Sequence, residues 1–178
     1  AEKNKTYTSE QEKEIFEYLE KNDPLLLLYI KFISFNFLRP VEVNRLLVKS
    51  INLKEKKLSV KTKTNKLKTK IIPDILLQEL PDLSQLNQDN YLFTPNGLGL
   101  EWVAEENNRR DSFSKRFKTV IKDHFNLGSE YGLYSFRHTF ITKLYRNLRE
   151  NKSPHETKGI LMNITGHVTM DALEKYLR

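Results

Sequence analysis

Residues 134–140 read Tyr134-Ser135-Phe136-Arg137-His138-Thr139-Phe140, and the interpretation of the chain starts from them. Ser135 is a good N-cap, so the stretch predicts a helix that runs to about Leu148. Arg137 would then lie in the first turn, where backbone N–H groups and the helix dipole favour an anion. A cation placed there points to a bound phosphate, and a solvated arginine is the alternative.

A second arginine, Arg39, lies at the end of an apolar segment and directly before Pro40. Glu42 follows three residues later and could orient the guanidinium. Local sequence leaves two interpretations open. One is an Arg–Glu surface pair, which stabilises little. The other is a guanidinium fork that binds a phosphate.

Lysine dominates residues 49–70, which hold nine lysines and a single acid, Glu55. The spacing of Lys61 and Lys63 places both on one face of a strand. A solvated sheet edge protected by its charge explains such a run. A phosphate backbone that relieves the repulsion between the lysines explains it as well.

The end of the chain holds the last candidates, Gly166-His167 and, nine residues after the histidine, Tyr176. Taken alone, the histidine is typical of an ordinary turn and the tyrosine of a packing residue.

The remaining pattern predicts a mainly helical chain with one small antiparallel sheet, an α+β fold. Thr8 to Glu12 resembles a capping box built on Ser9 and Glu12, and Asp23-Pro24 is a second helix start. Helices are expected near residues 9–21, 25–37, 40–47, 74–80, 112–125, 135–148, 155–163 and 169–177. Strands are expected near 51–53, 58–60 and 71–72, with turns near 54–57 and 65–67 and a loop over 94–108.

Composition limits the classes of function. The 178 residues carry a net charge of +7, which favours a polyanionic partner such as nucleic acid. The absence of cysteine excludes disulfides, a cysteine nucleophile and thiolate zinc sites. No apolar run approaches the length of a membrane span, and residues 1–8 lack the apolar core of a signal peptide, so a cytoplasmic location is expected.

In combination and in this order, these motifs resemble the catalytic domain of the tyrosine recombinases, the phage-integrase family. The resemblance rests on Arg39-Pro40-Val41-Glu42, a lysine between two strands, the stretch 134–140, Thr165-Gly166-His167 and the terminal Tyr176. It covers the chain from about Thr6 to its end. It implies the fold of that domain, and it implies that the chain is one catalytic domain of a longer protein with an N-terminal DNA-clamping domain.

The resemblance also implies roles for individual residues. Arg39 and Arg137 would be the two catalytic arginines, Tyr176 the nucleophile, and His167 a second group at the phosphate. Lys63 best fits the general acid, with Lys61 as the alternative.

One position departs from the family pattern. Tyr134 stands where the family usually has histidine, and a phenol donates hydrogen bonds but is a poor base at neutral pH.

The implied function is site-specific recombination of double-stranded DNA through a 3′-phosphotyrosyl intermediate, without metal or cofactor. The full-length protein would be a tetramer on DNA, and the isolated domain a monomer. Two other functions stay open: a DNA-binding module without catalysis, and DNA relaxation of the type IB topoisomerase kind. An RNA-binding domain is disfavoured because no paired aromatic stacking motif is present.

Overall fold

The computed structural model describes residues 3–62, 64 and 66–165 of the chain. This part is mainly helical, with two small antiparallel sheets inserted between groups of helices, so the predicted fold class is confirmed. The helices are α1 Ser9–Asn22, α2 Pro24–Phe35, α3 Pro40–Arg45, α4 Asp74–Leu77, α5 Glu106–Phe117, α6 Leu133–Arg149 and α7 Pro154–Thr165. The strands are β1 Ile51–Asn52, β2 Lys57–Lys61, β3 Leu67–Ile71, β4 Phe93–Thr94 and β5 Gly97–Leu98.

Side-chain caps determine where the first two helices begin. The Asp23 side chain accepts from the N–H of Leu26 at 3.1 Å, and proline occupies the first position of α2, as predicted. The capping box of α1 lies one residue earlier than expected, because Thr8 and Gln11 exchange the two bonds. Glu12 is consequently available elsewhere, and it pairs with Lys143 of α6.

The apolar α2 is the centre of the core and packs against α1 and α6. Tyr29 stacks on Phe113 of α5 with ring centroids 4.4 Å apart. Phe136 of α6 packs between Tyr7 and Phe117, at 4.5 and 5.8 Å. Aromatic pairs of this geometry stabilise beyond their buried area. The packing therefore fixes α6, and the residues it carries, against the end of α2.

The three-stranded sheet has the order β1-β2-β3, and Leu58 pairs with Lys70 across β2 and β3. On β2 the apolar residues Leu58 and Val60 face the core. On β3 the pattern is reversed, because Leu67 and Ile71 are 69% and 73% exposed. Paired residues of an antiparallel sheet share a face, so the lysines of β3 lie on the inner side beside Leu58 and Val60.

Several predicted boundaries were wrong. The turn predicted at 65–67 and the strand at 71–72 are replaced in part by β3, which spans Leu67–Ile71. The loop predicted over 94–108 contains the β4–β5 hairpin and the start of α5. A π-helical turn over Lys118–Lys122 continues α5, and α6 begins two residues before Ser135. The helix predicted at 169–177 lies outside the described residues.

Within the described part of the chain, no helix has the length and apolar character needed to cross a membrane.

Candidate active site

Arg137 is wholly buried and binds the segment that joins α2 to α3. Its Nε donates a hydrogen bond to the carbonyl oxygen of Phe37 at 2.8 Å. Phe37 has a φ of +54°, a left-handed conformation that costs energy in a bulky residue. Such conformations persist where the surrounding structure holds them, and the bond from Arg137 is one such restraint.

Arg39 is presented two residues further on, at the start of α3. Its backbone N–H donates to Oε1 of Glu42 at 2.8 Å, and its Nη1 lies 3.6 Å from the same oxygen. The Arg39 side chain is 33% exposed, whereas that of Glu42 is only 5% exposed. The pair therefore differs from a solvated surface ion pair: a buried carboxylate backs a guanidinium that still faces solvent.

The two arginines thus meet at one segment although 98 positions separate them in the sequence. One expectation about Arg137 was wrong. Because α6 begins at Leu133, Arg137 lies in the second turn of the helix and not in the first. The N–H groups at the start of α6 therefore do not explain its position, and packing against the α2–α3 segment does.

Tyr134 lies three residues before Arg137 on α6, so both side chains project from the same side of the helix. Tyr134 is partly buried and close to Tyr29, whose hydroxyl lies 2.9 Å from Oδ1 of Asn44 and 3.2 Å from the carbonyl oxygen of Pro40. Burial raises the pKa of Tyr29, the Asn44 bond opposes this, and Tyr134 adds to it. Tyr134 is therefore on the α3 side of the candidate site.

His138 follows Arg137 on α6 and is partly buried. Burial, and next the charge of Arg137, lower its pKa to about 4. The imidazole is consequently neutral at pH 7, so it adds no third positive charge next to Arg137.

Lys70 lies next to the α2–α3 segment, and the sequence analysis did not single it out. It reaches from β3 and donates from Nζ to the carbonyl oxygen of Asn36 at 3.1 Å. Burial is the largest cause that lowers its pKa to about 7, followed by the charge of Arg137. The alternation of Leu67, Lys68, Thr69, Lys70 and Ile71 was a signal for a strand, but it did not show that the lysines face inward.

The β2–β3 hairpin carries the lysines proposed as the general acid. Lys61 is exposed at the last position of β2, and Lys63 lies outside the described residues. The described part of β2 ends at Lys61, so the expectation that both lysines share one strand face stays a prediction. Arg45 of α3 donates to the carbonyl oxygen of Thr62 at 3.2 Å and so ties the hairpin to the helix that begins next to Arg39.

A cleft of about 720 Å³ lies between α3, the outer face of the sheet and the start of α5. Its basic lining residues are Arg45, Lys49, Lys61, Arg109 and Arg110. The guanidinium of Arg109 also lies 4.5 Å from the ring centroid of Tyr91, a cation–π contact. Positive side chains around a concave surface attract a phosphate backbone.

The remaining predicted site residues, His167 and Tyr176, lie outside the described residues. The structure brings Arg137 to the segment that carries Arg39, and Tyr134 lies one turn before Arg137 on α6. The roles of all six residues stay predictions. Among the side chains that are described, no group of three or more His, Asp or Glu residues is placed to hold a metal ion.

Solved structures with the same fold include three recombinases. The crystal structure of XerA recombinase has a TM-score of 0.69 and 16% identity, over 97% of this chain and 60% of that one. The Tn1549 transposon integrase in complex with a circular intermediate DNA has a TM-score of 0.70 and 15% identity, over 100% and 62%. XerH site-specific recombinase bound to difH substrate, in a pre-cleavage complex, has a TM-score of 0.66 and 17% identity, over 100% and 52%.

The chain thus spans about three fifths of the length of the XerA and Tn1549 structures and about half that of XerH. No curated protein matches its sequence. A family model does, over residues 5–177, and its description is the phage integrase family. The chain belongs to the phage integrase family.

Proposed function

We propose that the chain is the catalytic domain of a site-specific recombinase that cleaves and rejoins double-stranded DNA. The observation that carries the proposal is the bond from Arg137 to the carbonyl oxygen of Phe37, two residues before Arg39. It places two guanidinium groups at one segment, where they can bind the non-bridging oxygens of the same phosphate.

In the proposed reaction the phenolic oxygen of Tyr176 attacks the scissile phosphorus. A Tyr–O–P bond forms, the bond from phosphorus to the 5′-oxygen breaks, and Lys63 gives a proton to that oxygen. The proton of Tyr176 passes to His167 or to water. The covalent intermediate conserves the phosphodiester, so the reverse attack by a 5′-hydroxyl rejoins the strand.

The arginines contribute by stabilising charge in the transition state. Phosphoryl transfer needs mainly positioning and electrostatic stabilisation. Arg137 is buried and held by a backbone carbonyl, and Arg39 is backed by the buried Glu42. Both charges are therefore in place before the phosphate arrives, and little reorganisation is required during the reaction.

Tyr134 is suited to hydrogen bonding and not to the role of a general base. It lies one turn before Arg137 on α6, and its hydroxyl can donate a hydrogen bond to a phosphate oxygen. Its phenol has no useful basicity at pH 7, so we assign it to phosphate binding.

The proposed partner is double-stranded DNA. The basic cleft and the net charge of +7 support it. We further propose that the chain is one catalytic domain of a longer protein that assembles as a tetramer on its DNA, in the cytoplasm. In that protein an N-terminal domain raises affinity by effective concentration, so the isolated domain binds DNA more weakly.

Covalent trapping tests the proposal. A pool of nicked duplexes with randomised sequence is incubated with the protein, and adducts that survive denaturation are counted. Loss of the short nicked strand prevents rejoining, so the adduct accumulates. Tyr176→Phe should abolish the adduct and leave DNA binding intact, whereas the control Tyr145→Phe on α6 should keep both.

An adduct that persists in Tyr176→Phe would show that another residue is the nucleophile. If the unmutated protein binds the duplexes but forms no adduct, the chain is a DNA-binding module without catalysis.

A further inference from the structure

Lys70 occupies a position that lysine rarely takes. It lies on the inner face of β3, paired with the buried Leu58, while its strand neighbours Thr69 and Ile71 face solvent. A charged amine on the core side of a sheet loses hydration and needs compensation. An isoleucine at position 70 and a lysine at position 71 would satisfy the sheet better, so the reversed pattern points to a role outside folding.

The compensation that Lys70 receives comes from the candidate active site. Its Nζ donates to the carbonyl of Asn36, and Arg137 donates to the carbonyl of Phe37, the next residue. Two cationic side chains from different elements thus hold consecutive carbonyl groups. Between them they fix the left-handed corner from which α3 and Arg39 start.

The charges around Lys70 are mostly of its own sign. Arg137 faces it from α6, Arg39 from the start of α3, and Lys68 from its own strand. Glu42 of α3 is the acid that opposes them among the groups found to affect Lys70. Burial and this excess of positive charge lower the pKa of Lys70 to about 7, so a large share of the molecules carry a neutral amine at that position at neutral pH.

Building on the proposed function, we propose that Lys70 is a positioning residue of the phosphate site that takes up a proton when a DNA phosphodiester binds between Arg39 and Arg137. An amine donates a hydrogen bond in either protonation state, so the bond to Asn36 persists and only the charge changes. The bound phosphate supplies the negative charge that the empty site lacks. Binding thus recruits a third cation, which the free protein would otherwise have to hold against repulsion.

Proton linkage gives the proposal a measurable consequence. The phosphates of duplex DNA keep their charge between pH 6 and 9, so a proton taken up on binding belongs to the protein. Affinity should fall as pH rises, with a slope approaching one proton per site. The total loss is about tenfold for each unit by which the phosphate raises the pKa of Lys70.

Three variants separate this role from a structural one. Lys70→Arg keeps a positive charge at every pH. It should remove the contribution of residue 70 to the pH dependence of DNA affinity and should retain affinity at pH 9. Lys70→Met has similar length without charge, so it should bind weakly at pH 6 with the same reduced slope. The matched control is Lys68→Met, two residues away on the same face of β3. It should retain the Lys70 slope, displaced to slightly higher pH, because the charge of Lys68 is one of those that lower the pKa of Lys70.

The experiment measures binding of a short duplex DNA from pH 6 to 9, and follows the ¹³Cε shift of Lys70 by NMR with and without that duplex. We expect a midpoint near 7 in the free protein and at least one unit higher in the complex. The inference is overturned if the midpoint is above 9 in the free protein, or if DNA leaves it unchanged. It is also overturned if Lys70→Met and Lys68→Met have the same pH slope.

The outcome for Lys70 can be told apart from the outcome for cleavage. Proton uptake at Lys70 without any Tyr176 adduct would refute the proposed cleavage and keep this inference. Adducts formed by Lys70→Met with the unmutated pH profile would refute this inference and keep the cleavage.

Discussion

Replacement of Arg39 by alanine is the most direct test of the site. The structure predicts a small loss of stability and a large loss of cleavage rate. The guanidinium is 33% exposed, and its Nη1 lies 3.6 Å from Glu42. The bond from the backbone N–H of residue 39 to Glu42 survives the substitution. Folding should therefore depend little on this side chain, whereas cleavage should depend on it strongly.

The magnitudes follow from these contacts. Although Glu42 is buried, its contact with the guanidinium is long, at 3.6 Å, and it keeps the hydrogen bond from the backbone N–H of residue 39. The free energy of unfolding should therefore fall by only about 0–1 kcal/mol, the range of weak ion pairs. Removal of one preorganised donor from a transition state costs about 3–4 kcal/mol. At about 1.36 kcal/mol per factor of ten, cleavage should slow by roughly 10²- to 10³-fold.

Both quantities can be measured on the same preparation. Urea unfolding gives the change in stability, and single-turnover adduct formation with protein in excess gives the cleavage rate. Arg149→Ala is the matched control, since this exposed arginine at the end of α6 donates to the nearby carbonyl oxygen of Lys152. It should change neither quantity appreciably.

Two results would refute the reasoning for Arg39. Cleavage within about threefold of the unmutated rate would mean that the guanidinium does not stabilise the transition state. A loss of more than about 2 kcal/mol in stability would mean that Arg39 is a structural residue, because it exceeds what a long, weak ion pair supplies. Arg137 cannot be tested so cleanly, since it is wholly buried and its removal disturbs packing as well.

Two further predictions concern the proton donor and the fold. Lys63→Ala should slow cleavage of ordinary DNA and be rescued by a bridging 5′-sulfur, which leaves without a proton donor; rescue of Lys61→Ala instead would move the assignment to Lys61. Arg116→Ala should lower stability by about 3–5 kcal/mol in urea unfolding, because it leaves the carboxylate of Asp23, 6% exposed and paired at 2.6 and 2.7 Å, without its cation. A loss below about 1 kcal/mol would contradict that account of the pair.

Local signals predicted the helices well where they were strong. The Asp23-Pro24 start and the continuous apolar run identified α2, because both act within one helix and need no tertiary partner. Where the capping signals were weaker, the predicted cap of α1 and the predicted start of α6 differed from the observed ones by one and two residues. Thr8 and Ser9 are both good caps, and only the geometry of the bonds decides for Thr8. Gly132 precedes α6 without a side-chain cap, so Ser135 appeared to be the start.

The sequence suggested candidate site residues but not their arrangement in space, because that arrangement depends on tertiary packing. Local sequence singled out Arg39 and Arg137, and the order of motifs along the chain added Tyr134 and the proposed roles. Nothing in the local sequence placed the two arginines at one segment. That arrangement depends on packing of α6 against α2, which periodicity does not report. Glu42 was named as a partner of Arg39, but its burial, which distinguishes the pair from a surface contact, is a tertiary property.

Lys70 shows why the lysine run could not be interpreted as one unit. Of its nine lysines, Lys56 lies next to the exposed Asp74, Lys61 lines the basic cleft, and Lys70 faces inward to the α2–α3 segment. These are a surface contact, a candidate DNA contact and a candidate member of the reaction centre. Their charges are identical in sequence, and what separates them is the strand face and the elements packed against it. A reversed alternation, with apolar residues outward and lysines inward, is the structural sign that separates Lys70 from the solvated lysines of the run.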